Sequence, residues 1–167
     1  MRVRPDRPSR VRIIPSTQAD VFHLIDVGLR DQDAAELQAA GVLPEEALQW
    51  GLDMGDALCL TIHVGDEPVG MFGVCPHPDE GVGTVWMLGT DGIFGARREL
   101  VEDAPLWMDM FNKVYPTLTN YVDSRNSVSI AWLEKMGYDF PADDEIVTDA
   151  GVTFRRINRC ASPSPSV

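Results

Sequence analysis

A mixed α/β domain, with a largely antiparallel sheet flanked by helices, is the fold class that the sequence predicts, and three observations carry that reading. The periodicities run in the order β, α, α, β, β, β, α, β, α, β, β between about residues 11 and 158. Leu58 to Val64 and Pro68 to Val74 are short alternating runs on either side of Gly65-Asp66-Glu67, which reads as a hairpin. Leu118 to Phe140, LTNYVDSRNSVSIAWLEKMGYDF, passes from a β-branched and aromatic run through a polar turn into an amphipathic helix.

Taken in order, Val11 to Ile14 forms a first strand that Pro15 ends. Thr17 and Asp20 have the spacing of a capping box, and Val21, Leu24, Ile25 and Gly28 lie along one face of the helix they open, up to about Arg30. Asp31 to Asp56 holds seven acids and no base; it reads as helical, broken at Gly41 and restarted by Pro44 at a first-turn position. Its acids are expected on a solvated face, with Leu37, Leu48 and Leu52 inward. After the hairpin, the loop Pro76 to Gly83 leads to a third antiparallel strand, Thr84 to Thr90. Ala96 to Tyr115 carries Leu100, Ala104, Trp107, Met108 and Phe111 at helical spacing, with a restart or kink expected at Pro105. Glu145 to Ile157 reads as a last hairpin around Ala150-Gly151.

The domain is expected to span residues 11 to 158, between a basic flexible arm, residues 1 to 10, and a Ser/Pro-rich disordered tail, residues 159 to 167. Arg2, Arg4, Arg7 and Arg10 face only Asp6 in that arm, whereas the whole chain of 167 residues has a formal charge of −12. An acidic domain repels phosphate, which excludes nucleic-acid binding by the domain itself. No apolar run approaches membrane length and no apolar stretch follows the N-terminal charges, so a cytoplasmic protein is expected. Cys59, Cys75 and Cys160 form no disulfide pattern, and Cys75, His77 and His63 lack a second pair at zinc-like spacing; no metal is expected.

Within Leu118 to Phe140, Asn126 or Ser127 is placed to cap a helix, Val128, Trp132 and Met136 with Ile130 and Leu133 form its apolar face, and Gly137 stops it. This unit resembles the C-terminal motif of the GNAT superfamily of acyl-CoA-dependent N-acetyltransferases, with Val122, Asn126, Ser129, Gly137 and Tyr138 at the motif positions. The resemblance extends to the order of elements. It implies that the fourth and fifth strands, Thr84 to Thr90 and Leu118 to Val122, splay apart, and that the arm of acetyl-CoA lies between them on Met87, Leu88 and Gly89. It implies further that Asn126 and Ser129 contact this cosubstrate and that Gly95, Ala96, Arg97 and Arg98 face its phosphates, although Gly92-Ile93-Phe94-Gly95-Ala96-Arg97-Arg98 lacks the family's spacing and reads equally as an ordinary turn.

The tyrosine that protonates the leaving thiolate in many members is Leu133 here. Tyr121, Tyr138 and Cys75 are the substitutes by chemistry, and Glu67, His63 and Asp123 the candidate bases; no catalytic residue is assigned. Trp86 to Thr90, Tyr121 to Asp123, Arg125 with Asn126, Ser129 with Ile130 and Trp132 with Leu133 also resemble a GNAT-like family of short-tailed bacteriophages typified by an internal virion protein. Two functions follow from the resemblance. One is a phage-encoded acetyltransferase acting on an amine; the other is a non-catalytic virion or assembly component, in the host cytoplasm or the virion interior, with protein partners.

Overall fold

The computed structural model describes residues 10–55 and 58–162, so most of the basic arm and the last five residues lie outside the described residues. Among the described residues seven strands form one sheet in the order β1-β2-β3-β4-β5-β7-β6, where β1 is Val11–Pro15, β2 Cys59–Val64, β3 Glu67–Pro76, β4 Val82–Gly89, β5 Thr117–Asp123, β6 Glu145–Val147 and β7 Thr153–Cys160. Every pair is antiparallel except β4 with β5. The helices are α1 (Gln18–Val27), α2 (Asp31–Ala40), α3 (Pro44–Met54), α4 (Arg97–Val114) and α5 (Ser127–Lys135). This is the expected α/β class, and the elements follow the expected order with the second helical region divided into α2 and α3.

Local signals explain most boundaries. Thr17 caps α1 through the full capping box, and Gly28 ends the helix at φ 93°. The Asp20 carboxylate of that box also accepts from Thr61 Oγ1 at 2.9 Å, which pins the start of α1 to β2. Asn126 Oδ1 accepts from the Ser129 N–H at 3.1 Å and caps α5, and Gly137 at φ 84° turns the chain away from it. Three expectations shift. β4 starts at Val82, because Val82 to Thr84 pair with Thr117 to Thr119; β7 runs to Cys160; and Pro105 sits inside an unbroken α4. Pro105 withholds only its own N–H from a helix whose exposed side there leaves the Val101 carbonyl near water.

The sheet buries both faces. On one side Val74, Val85, Leu118 and Val122 pack with Ala104, Met108 and Phe111 of α4, and Ile130, Trp132 and Leu133 of α5 rest against that cluster. On the other, Met71 and Cys59 pack with Val21, Leu24 and Leu48 of α1 and α3. Phe111 is fully buried, 6.2 Å from the Phe72 ring. Phe111→Ala should cost about 3–5 kcal/mol, through lost transfer energy and the cavity left behind, as a lower urea midpoint at unchanged slope.

Candidate functional site

The parallel ladder between β4 and β5 stops at Thr84 and Thr119, and beyond it the strands part. The direction of each main-chain group on the freed edge follows from strand alternation. Thr90 N–H bonds the Val69 carbonyl on the β3 side, so Gly89, Met87 and Val85 direct their N–H and C=O into the gap. Two of these three are already satisfied. The Val85 carbonyl accepts from Asn120 Nδ2 at 2.6 Å, while Gly89 N–H donates to Asp33 Oδ2 at 2.8 Å and Gly89 C=O accepts from Arg30 N–H at 2.9 Å. Among the described residues nothing pairs with Met87 on this edge. Of Met87, Leu88 and Gly89, it is Met87 that offers an open main-chain donor and acceptor; Leu88 points its main chain to β3, and Gly89 is bound by the start of α2. Asn120 and Asp33 occupy the two ends of this edge and leave Met87 open between them, while Trp86 packs its indole over Gly51 of α3 and Trp132 rests on the α5 side of the core.

Two of the three acids of α2, Asp33 and Glu36, depart from the solvated face expected of them, while Asp31 stays exposed. Asp33 is 5% exposed and holds Arg30 Nε at 2.8 Å as well as the Gly89 N–H. Glu36, one turn on, is partly buried and accepts from Asn126 Nδ2 at 3.0 Å. Asn126 is therefore used at both ends, its oxygen on the Ser129 N–H and its amide on α2. The Glu36 carboxyl is held above the ordinary glutamate range, first by desolvation and then by Asp33 and Asp123, with the Asn126 hydrogen bond and Arg30 acting the other way. Asp123 shifts oppositely, because Arg125 grips it at 2.7 Å. Nothing in the local sequence distinguishes Glu36 from its neighbours; its i, i+3 relation to Asp33 is the one signal that both lie on one helix face.

Glu36 lines a cavity of about 580 Å³ between α2, α3, β4, β5 and β6, together with Trp50, Trp86, Met87, Tyr121, Ile146 and Phe154. This cavity sorts the candidate acids. Tyr121 faces it, whereas Tyr138 is buried with its hydroxyl donating to Met108 Sδ at 3.0 Å, and burial pushes its phenol well above the usual value. Burial also pushes the Cys75 thiol up to about 11. The candidate bases separate as well: His63 is buried on β2, 3.7 Å from Asp20; Glu67 lies at the start of β3 beside His23; and Asp123 is committed to Arg125.

Gly92 to Ala96 belong to a 3-10 turn, Asp91–Ala96, that runs into α4. The Ala96 side chain is fully buried in the core, Gly95 and Arg97 are exposed, and Arg98 is paired to Glu102 at 3.0 Å. Among the described residues Arg97 carries no ion pair. No group of three or more His, Cys, Asp or Glu is placed there to hold a metal, and no helix is long and apolar enough to cross a membrane, both among the described residues.

The overall fold is shared with solved acetyltransferases. A GNAT-family acetyltransferase from Streptococcus pneumoniae superimposes with a TM-score of 0.63 at 13% identity, over 91% of this chain and 99% of that one. The ribosomal-protein-alanine N-acetyltransferase of Brucella melitensis gives 0.60 at 18% identity, over 89% and 99%. An aminoglycoside acetyltransferase in complex with coenzyme A gives 0.61 at 14% identity, over 90% and 94%. The fold is that of the GNAT acetyltransferases. No protein-family model and no curated protein matches the sequence. Leu133 is partly buried and packs its side chain against the core.

The raised Glu36 pKa makes stability depend on pH. In the window above the ordinary glutamate value the folded state holds the proton more tightly than the unfolded chain, so stability falls as pH rises through it. Glu36→Gln, which keeps an acceptor for Asn126, should gain stability relative to the wild type on going from about pH 4 to pH 7 in paired urea titrations.

Proposed function

We propose that this protein is an acyl-CoA-dependent N-acetyltransferase that moves an acetyl group from acetyl-CoA to an amine. The observation that carries this reading is the open edge at Met87, between Val85 and Gly89 of β4, whose carbonyl and main-chain groups are taken by Asn120, Asp33 and Arg30. An extended amide-bearing arm laid between β4 and β5 can accept from Met87 N–H and donate to Met87 C=O, which adds it to the sheet as a short strand. The residues fit such a ligand at that end. At the other, the exposed Gly95 main chain and Arg97 at the start of α4 are the groups for its phosphates; Ala96 contributes main chain only, and Arg98 must first leave Glu102. In this reading Asn126 and Ser129, joined by the α5 cap, contact the cosubstrate beyond the end of β5. Acetyl-CoA supplies an activated acyl group whose thiolate is already a good leaving group, so transfer does not require the missing tyrosine at Leu133, and Tyr121 is the phenol that faces the cavity.

A second reading keeps the fold without the reaction, as an internal virion or assembly protein of a short-tailed phage. It is favoured by Asp33, which occupies the Gly89 N–H, and by the Arg98–Glu102 pair, which withdraws one of two cations from the phosphate end. The sequence signature from Trp86 to Leu133 supports the phage origin common to both readings.

Calorimetric titration with acetyl-CoA separates the two. Micromolar binding that weakens with salt is expected, and Arg97→Ala should lower affinity about tenfold, the worth of one hydrogen bond to a charged group, with Arg98→Ala lowering it less. No heat up to millimolar ligand would sink the transferase reading, and recovery of the protein from purified virions would then support the other.

A further inference from the structure

The cavity beside the gap differs in character from the rest of the molecule. Its walls are aromatic and apolar, from Trp50, Trp86, Tyr121 and Phe154, and the charged residues that line it among the described ones, Glu36 and Glu46, are both acids. Aromatic faces and carboxylates attract the same kind of guest, a cation with an apolar body. An overall charge of −12 draws such a guest in. Glu36 belongs to both halves of the site. It lines the cavity with Met87, whose main chain faces the gap, and it is bonded to Asn126, the residue that opens α5 after β5.

We infer that this cavity takes a primary ammonium ion carrying an aromatic or aliphatic body, and that Glu36 is the base that deprotonates it. The inference rests on the transferase reading for its second half only. Glu36 takes one proton from the ammonium, and the freed nitrogen lone pair forms the N–C bond to the thioester carbonyl carbon of acetyl-CoA. The C–S bond breaks with its electron pair going to sulfur, and the thiolate takes the second nitrogen proton. The products are the amide, the free thiol and a protonated Glu36 that returns its proton to water. The groups facing Glu36 are Asp33 and Arg30 from the start of α2, and Asp123, Arg125 and Asn126 from the turn after β5. Desolvation and the two aspartates hold its proton affinity up, which strengthens it as an acceptor. Asn126 keeps one carboxylate oxygen fixed and leaves the other for substrate.

The test uses the full chain with phenethylamine as the probe and phenethyl alcohol as its neutral counterpart. In calorimetry without acetyl-CoA, the amine should bind at least tenfold tighter than the alcohol, and Glu46→Gln should weaken the amine several-fold while leaving the alcohol unchanged. With acetyl-CoA present, Glu36→Gln should lower kcat by about 10²- to 10⁴-fold with acetyl-CoA affinity unchanged, and the acid limb of the pH–rate profile should disappear. Equal binding of amine and alcohol would overturn the substrate class. Wild-type turnover in Glu36→Gln would overturn its role as base. If the wild type binds the amine but not acetyl-CoA, the transferase reading and the proton transfer fall together and the ammonium site stands.

Discussion

Once β4 and β5 part beyond Thr84 and Thr119, the edge of β4 carries main-chain donors and acceptors with no ladder to enter. A buried group of this kind costs about 1–3 kcal/mol if left unpaired, so much of the surrounding architecture serves to pair it. Asn120 reaches across from β5 to the Val85 carbonyl, and α2 brings the Arg30 N–H and the Asp33 carboxylate to both sides of Gly89. The position of α2 over the sheet follows from these bonds more than from apolar contact, since Asp33 is its one buried residue. What is left open, at Met87, is the part of the edge that a ligand can complete.

The same docking of α2 sets the electrostatics. Three carboxylates, Asp33, Glu36 and Asp123, converge where α2 meets the turn after β5. Asp33 has Arg30 and Asp123 has Arg125, each at salt-bridge distance. Glu36 has only an amide, so burial and the repulsion of its neighbours fall on it, and its proton is held more tightly than that of an ordinary glutamate. A helix that closes a strand edge thereby also prepares a proton acceptor at the mouth of an aromatic cavity. Structural and chemical roles share the same few residues: Asn126 caps α5 and steadies Glu36 with the two ends of one amide.

Much of the architecture was legible in the residues. Thr17 with Asp20, Asn126 with Ser129, and Gly137 mark helix ends through bonds that span three or four positions, and alternation marks the hairpin and β5. Boundaries were less legible where tertiary pairing extends an element, as at Val82, which joins β4 through its parallel partner Thr117, and at Cys160, which lies opposite the same residue on β7. Pro105 was misread as a restart because a proline costs a helix least where the freed carbonyl faces water.

The sequence by itself determined the order of elements, the Asn-led turn and the acidic balance, since each depends on near neighbours or on composition. Only the tertiary structure decided which acids matter. Asp33 meets Gly89 across 56 residues and Glu36 meets Asn126 across 90, and no periodicity of α2 distinguishes them from the acids that remain in solvent. The availability of Met87 rather than Gly89 was decided in the same way. A strand's edge groups alternate by geometry, but which of them are occupied depends on what other segments fold against that edge.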